Sequence, residues 1–309
     1  MKNIYLLGEC MVELKPGQPG IINQAFAGDV YNSAVYLKRS FPKLNPQLIS
    51  AVGTDTLSEQ MLSTFSDEGI GSNLVFRNED KTVGLYLIET DSSGERSFVY
   101  WREQSAARQV MQHFNENQLD QFNDKDILFF SGISLAVIPQ EDRDLLWQQV
   151  ERIKQRGVVI VFDPNYRPRM WSSPEQAKTQ FDKAFSYSDI VLPGIEDFDS
   201  LYGLTDEDSV LTHLSQFDCS EIVIKNSDKY ITSMANNLKQ IHPIDPIDNV
   251  VDTTSAGDSF NGCYLGARLS GYTVSEAVKI ASSAAGFVIQ HPGAIAPKDQ
   301  FTQFINTVI

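Results

Sequence analysis

The sequence predicts an α/β fold: a mainly parallel sheet covered by helices on both faces, with a small β-sheet lid outside it. Short, continuously apolar runs alternate with helical stretches, the pattern of parallel strands buried on both sides. Two β-rich runs, at 83–90 and 96–101, break that alternation and bracket the turn-forming residues Asp91-Ser92-Ser93-Gly94. They read as a hairpin that belongs to the lid. The 309 residues show no repeat period and no low-complexity linker, so a single domain over 1–309 is the economical division.

Residues 4–8 form a short apolar run closing on glycine, expected as the first buried strand. Residues 28–39 read as a loop entering a helix, with Val35, Tyr36 and Leu37 as its apolar weight. A strand at 48–53 and a helix at 58–65 follow, the helix stopping near Gly69. Beyond the hairpin, strands are expected at 126–131, 158–163, 189–192 and 221–225, mostly spaced by helices such as 141–156 and 175–186. A last helical pattern runs from the segment at 251–260 through 262–268. Ligands of open α/β sheets gather beyond the carboxyl ends of the strands, so the chemistry is to be sought just after these runs.

Composition narrows the function classes. At 42% hydrophobic and 21% charged the chain is an ordinary globular one, but 40 acidic against 25 basic residues leave a net charge of −15. Such a field does not hold DNA or an anionic membrane, so neither is expected as a partner. An anionic ligand would need a local island of Arg, Lys or backbone N–H groups. Cys10, Cys219 and Cys263 lie far apart with no C-x-x-C pair, which fits buried thiols in a reducing compartment rather than disulfides or zinc. The four histidines have no metal-binding spacing. With no secretory pattern at the start and no long apolar stretch, the expected location is the cytoplasm.

The most informative segment is Val251-Asp252-Thr253-Thr254-Ser255-Ala256-Gly257-Asp258-Ser259-Phe260. Small residues at 255–257 allow a tight turn into a helix start, where unpaired N–H groups and partial positive charge suit a phosphate. That supplies an anion site without a basic side chain. Asp258 falls in the first turn. By position alone it fits a helix-capping carboxylate, or a base that takes a hydroxyl proton during phosphoryl transfer.

Asp252-Thr253-Thr254-Ser255-Ala256-Gly257-Asp258 resembles the D-T-x-G-A-G-D signature of the ribokinase (PfkB) family of sugar kinases. Gly28-Asp29-Val30-Tyr31-Asn32 resembles that family's G-[GD]-x-x-N element, and the likeness extends over nearly the whole chain. It implies a ribokinase-like three-layer α/β/α sandwich with a β lid formed by about 9–26 and 72–102. It also implies ATP and Mg²⁺ as cofactors, with the metal bridging nucleotide phosphates, and leaves open whether a monovalent cation takes part. Asp258 would be the general base, and the amides of Ser255, Ala256, Gly257 and Asp258 the anion hole. Gly28, Asp29 and Asn32 would bind the sugar. Relatives often pair through their lids, which implies a homodimer or higher homo-oligomer.

Three further segments resemble one branch of the family, the kinases that phosphorylate 2-keto-3-deoxygluconate (KDG) at its terminal hydroxyl. They are Gly8-Glu9-Cys10-Met11-Val12-Glu13-Leu14, Tyr100-Trp101-Arg102 and Asp163-Pro164-Asn165-Tyr166-Arg167-Pro168. A sugar acid carries a carboxylate, and Arg suits its planar, bidentate recognition, so Arg102 and Arg167 are the candidates to hold it. The resemblance offers the hydroxyls of Tyr86 and Tyr100 to the substrate, whereas Trp101 reads as lid core. Asn165, Lys225, Ser227 and Ala285 would line the nucleotide site together with Ser255, Ala256 and Gly257. Glu196 is what remains of an N-x-x-E element and would influence magnesium indirectly.

Two departures stand out. Ser255 replaces the family's glycine, a cost of about 1 kcal/mol if φ there is positive. The segment 225–229 lacks the glycines usual at the nucleotide's edge. Rival readings are a kinase of fructose, ribose or a related sugar acid, and a non-catalytic sugar-acid sensor. A Rossmann NAD site is disfavoured because no G-x-G-x-x-G follows the first strand. Given the overall charge, positive potential is expected only in the cleft of Arg102, Arg167 and the helix start at 255–258.

Overall fold

The computed structural model describes residues 2–90, 96–227 and 229–309. From β1 (Asn3–Leu7) the chain leaves for β2 (Met11–Pro16) and β3 (Ile22–Ala27), then returns through α1 (Asp29–Ser40) to β4 (Asn45–Val52). Next come α2 (Thr56–Asp67), β5 (Gly71–Arg77), β6 (Leu85–Thr90), β7 (Arg96–Trp101) and a short α3 (Val110–His113). An alternating stretch follows: β8 (Ile127–Ser131), α4 (Gly132–Val137), α5 (Arg143–Gln155), β9 (Val159–Asp163), α6 (Pro174–Tyr187) and β10 (Ile190–Val191). Then α7 (Ile195–Tyr202) and α8 (Glu207–Leu214) lead to β11 (Glu221–Asn226), β12 (Tyr230–Ala235) and β13 (Leu238–Pro243). The chain closes with α9 (Ala256–Leu269), α10 (Val274–Val288) and α11 (Lys298–Ile305).

Among the described residues the main sheet has nine strands in the order β13-β12-β11-β10-β9-β8-β1-β4-β5, parallel from β5 to β11. Side chains alternate across each strand, so both faces need cover. Ile4 and Leu6 of β1 join a core with Val35, Leu37, Tyr264 and Ile280 of α1, α9 and α10. Tyr5 and Leu7 point the other way, to a core with Trp147, Phe181, Phe198 and Val210 of α5 to α8. This is the three-layer α/β/α sandwich expected from the sequence. No helix among the described residues is long and apolar enough to cross a membrane.

A second sheet, β3-β2-β6-β7, stands apart as the lid, and β6 and β7 pair antiparallel as the expected hairpin. The turn at Asp91–Gly94 lies outside the described residues. Three features differ from the sequence reading. Residues 71–77, placed with the lid, instead pair with β4 as the edge strand of the main sheet. The antiparallel hairpin β12–β13 at the opposite edge was not anticipated. Its turn is Asn236-Asn237, both with positive φ (51° and 60°), a conformation asparagine tolerates better than most residues. Trp101, expected in the lid core, is 53% exposed.

Candidate active site

The carboxyl ends of β1, β8, β9 and β11 converge beneath the lid. The register pairs Ser131 with Asp163, setting the last residues of β8 and β9 side by side. Two close backbone approaches shape the site, one within the N-terminal segment and one that joins α1 to α9. A Cβ on Gly28 would stand 2.2 Å from the Glu9 carbonyl oxygen, and one on Gly262 would stand 2.1 Å from that of Ser33. Only glycine lets α1 and α9 pack this tightly. As a result Asn32, one turn into α1, donates from Nδ2 to Asp258 Oδ2 at 2.8 Å. Its Oδ1 accepts the Gly28 N–H at 3.3 Å.

Asp29 opens α1 and accepts from Ser131 Oγ and, at 3.3 Å, from Asn165 Nδ2. Asn165 sits at φ 34° in the loop after β9, where its N–H donates to Asp163 Oδ1 at 3.2 Å. Asp163 Oδ2 in turn accepts from Lys225 Nζ (3.1 Å) and from Asn261 Nδ2 (2.6 Å).

At the start of α9 Ser255 adopts φ 65°, the left-handed conformation in which the family's glycine would be unstrained. Its hydroxyl is buried with no partner in good hydrogen-bond geometry, yet lies near enough to Asp258 to favour the ionised carboxylate. Ala256 N–H turns back to Thr253 O (3.2 Å) and Ser259 N–H to Ser255 O (2.9 Å). Of the four amides at 255–258 expected to face an anion, that of Ala256 is thus paired within the turn. Lys225 Nζ lies 3.9 Å from where a Gly257 Cβ would stand, so an ammonium adjoins these amides.

Crowded carboxylates hold their protons tightly here. Burial, then the charges of Asp29 and Asp163, push Asp258 up to about 7 against the opposing Asn32 hydrogen bond. Asp29 is raised by burial, with Ser131 and Arg102 opposing. Asp197, in the first turn of α7, is lifted to about 6 by burial and Asp163. It accepts the N–H of Tyr166 at 2.7 Å and that of Gly194 at 3.2 Å. The cleft is thus not the purely positive site expected: Asp29, Asp163, Asp197 and Asp258 share it with Arg102, Arg167 and Lys225.

The remaining predicted residues fall around this centre. Arg102 lies just after β7 and gives Nε (2.9 Å) and Nη2 to the buried Glu9 carboxylate, while Nη1 meets only Met170 Sδ at 3.8 Å. Arg167 is exposed, its Nη1 donating to the Tyr166 carbonyl at 3.0 Å. Tyr86 is buried and its hydroxyl donates to Glu13 instead of lying free for a ligand. Tyr100 is half-exposed, with Arg102 5.9 Å over its ring. Glu196 is exposed in the first turn of α7 and accepts from Ser227 Oγ. Ala285 is partly buried on α10, one residue before Gly286, where a Cβ would come within 3.2 Å of Ile247. Sequence reasoning passed over Glu9, Ser131, Asp163, Asp197 and Asn261 as site residues. Glu9 and Asp163 stood inside quoted motifs; the partners of Ser131, Asp197 and Asn261 are remote in sequence.

Compared with known proteins, the pfkB family carbohydrate kinase model matches residues 1–300. A 2-dehydro-3-deoxygluconokinase of Haemophilus influenzae is 38% identical over 308 residues, covering 96% of each chain. Another, from Dickeya dadantii, is 38% identical over 306 residues, covering 96% of this chain and 97% of its own. In fold the chain is similar to a candidate ribokinase II of E. coli solved with ATP and Mg²⁺, with a TM-score of 0.86 and 21% identity. That match covers 99% of this chain and all (100%) of the other.

Proposed function

This chain belongs to the pfkB family of carbohydrate kinases, and on that premise we propose that it phosphorylates 2-keto-3-deoxygluconate at the expense of ATP. The γ-phosphoryl group passes to the sugar acid's terminal hydroxyl, giving 2-keto-3-deoxy-6-phosphogluconate and ADP. Two relatives bearing the 2-dehydro-3-deoxygluconokinase name, each 38% identical over nearly the full chain, support this substrate. The observation that carries the reaction type is Asp258, held by Asn32 beside the Gly257 amide and the Lys225 ammonium. A proton acceptor and donors for phosphate oxygens then meet at one point.

Asp258 takes the proton of the attacking hydroxyl as the new O–P bond forms and the bond to the ADP oxygen breaks. The Gly257 and Asp258 amides, with Lys225, stabilise the charge on the transferred group, and the Ser255 hydroxyl is a further unpaired donor. Gly28, Asp29 and Asn32 orient the sugar hydroxyls, with the Tyr100 hydroxyl at the lid. Arg102, through its Nη1 edge, which holds only the weak acceptor Met170 Sδ, and the exposed Arg167 bind the carboxylate. The nucleotide runs past Lys225, Asn165 and Ser227 toward Ala285. Magnesium would come with the nucleotide and keep much of its water shell. Glu196, an exposed carboxylate, would act on that ion through water, and the ion when bound would neutralise phosphate charge. Lid closure keeps water from the phosphoryl group. The exposed Val99 and Trp101 of β7 support pairing of two copies through their lids, and the free cysteines suit a reducing cytoplasm.

A kinase panel over KDG, its galactonate epimer, gluconate and fructose tests the proposal. KDG or its epimer should give the highest kcat/KM; a preference for fructose would refute the substrate.

A further inference from the structure

The ammonium beside the anion hole does not reach it by chance. Lys225 leaves the end of β11 and is held from two sides: Nζ donates to Asp163 Oδ2 at 3.1 Å and to Asn261 Oδ1 at 3.1 Å. Asn261 closes the triangle by donating from Nδ2 to the same Asp163 oxygen at 2.6 Å. Asp163 and Asn261 are almost fully buried, at 4% and 1% exposure. The lysine is less so, and its Nζ faces the start of α9, 3.9 Å from where a Gly257 Cβ would lie. Three elements, β9, β11 and α9, thus meet in one closed triangle whose least buried member is the lysine.

We propose that Asp163 and Asn261 are positioning residues for phosphoryl transfer, acting through Lys225, whose ammonium contacts the transferred group. This rests on the kinase reading and deepens it. Lysine has a long, flexible stem, and an unheld ammonium would sample many positions. Fixing it before ligands arrive places the charge where the transition state develops it, and a small misplacement of such a group costs up to about 10²-fold in rate. Asn261 lies one turn after Asp258 on the same helix, so base and ammonium are referenced to a single rigid element.

A double-mutant cycle tests this. Lys225→Met should lower kcat by ~10²–10³-fold, and Asn261→Leu by ~10–100-fold, with KM for the sugar moving far less than kcat. On the Lys225→Met background, adding Asn261→Leu should cost no more than about twofold, because its target is gone. Asp163→Asn, close in shape, should show the same non-additivity and serves if Asn261→Leu fails to fold. Multiplying losses, or wild-type kcat in Lys225→Met, would overturn the proposal. The cycle is run on whichever sugar the chain phosphorylates. Failure to turn over KDG therefore refutes the substrate alone, and additivity in an active kinase refutes the positioning role alone.

Discussion

Asn32→Leu removes the hydrogen bond that tunes the proposed base together with the side chain's hold on the sugar, and the position of the pH limb separates the two effects. In the native site Asn32 Nδ2 donates to Asp258 Oδ2 at 2.8 Å and favours the ionised carboxylate, opposing the burial and neighbouring acids that still push it up to about 7. A hydrogen bond to a charged group contributes roughly 1.5–3 kcal/mol, and one pKa unit corresponds to about 1.36 kcal/mol. Its loss should raise the apparent value by about one to two units, to roughly 8–9. At pH 7 the ionised fraction then falls from about one half to between about 0.1 and 0.01, a loss of roughly 5–50-fold in kcat/KM. The assay is kcat/KM for KDG from pH 5.5 to 9.5, using a coupled readout of ADP. Wild type should lose activity on the acid side with an apparent pKa near 7, and the variant's limb should lie to the alkaline side of it. Asp258 and Asp29 interact, so the limb reports the pair rather than one residue. A variant with a lowered plateau but an unmoved limb would refute the tuning role. Persistence of the same limb in Asp258→Asn would assign it to another group.

Asp258→Asn itself should lower kcat by at least ~10²–10⁴-fold while leaving KDG binding by calorimetry within a few-fold; near-normal turnover would remove the base assignment. The same variant tests the electrostatic cost of the cleft. Asp258 in the fold binds its proton more tightly than in the unfolded chain, so stability falls as pH rises through the folded value near 7. The gain in Tm should therefore be larger at pH 8 than at pH 5, by roughly 2–4 °C, because the penalty builds from the ordinary carboxylate range up to the folded value; an equal gain at both would refute the titration argument. Arg102→Ala and Arg167→Ala should each raise KM for KDG by about 10–100-fold, as expected for a lost charge-assisted bond, with little change for fructose. Equal losses on both sugars would show that the arginines do not read the carboxylate. Ser255→Gly should raise Tm by about 2 °C through relief of the left-handed serine, and an unchanged or lower Tm would show that the serine is not strained.

How much was legible in the sequence follows from how local each signal is. Strands β8 and β9, continuously apolar and bounded by helices, were readable almost to the residue, because burial on both faces leaves no other residue choice. The lid hairpin was readable for the same reason in reverse, as a break in the alternation. By contrast β5 is assigned to its sheet only by pairing with β4, a non-local fact, so residues 71–77 were placed in the wrong sheet. β13 has four exposed residues in a row and lacks the apolar signal on which a strand is recognised. In the site, motif residues such as Asp29, Asn32 and Asp258 stand at marked spacings. Asp197 and Asn261 carry no motif of their own, and their roles exist only through Tyr166, Asp163 and Lys225, which folding brings to them. The Ala256 amide shows the limit within a motif, since its acceptor, Thr253 O, is fixed by the turn rather than by residue type.

A chain of net charge −15 that handles two anionic substrates poses an electrostatic problem, and the cleft solves it pairwise. A buried cation left alone would be costly, and a cation in water would arrive unoriented. Here two of the three cations are already matched to a buried acid: Arg102 to Glu9, and Lys225 to Asp163. Each acid offsets the desolvation of its partner and fixes its direction. Each leaves donor capacity for a ligand: among the described residues Arg102 Nη1 meets only the weak thioether of Met170, and part of the Lys225 ammonium lies beside Gly257. Burial and neighbouring carboxylates raise the proton affinities of Asp29 and Asp258, which limits the negative field beside these donors. Selectivity for anions then comes from these donors rather than from any net positive field. On this account neutralising Glu9 by Glu9→Gln should strengthen the hold of Arg102 on a carboxylate while loosening its aim. KM for the sugar acid would fall or hold while kcat drops severalfold, and a rise in KM with kcat unchanged would show that Glu9 only supports the lid.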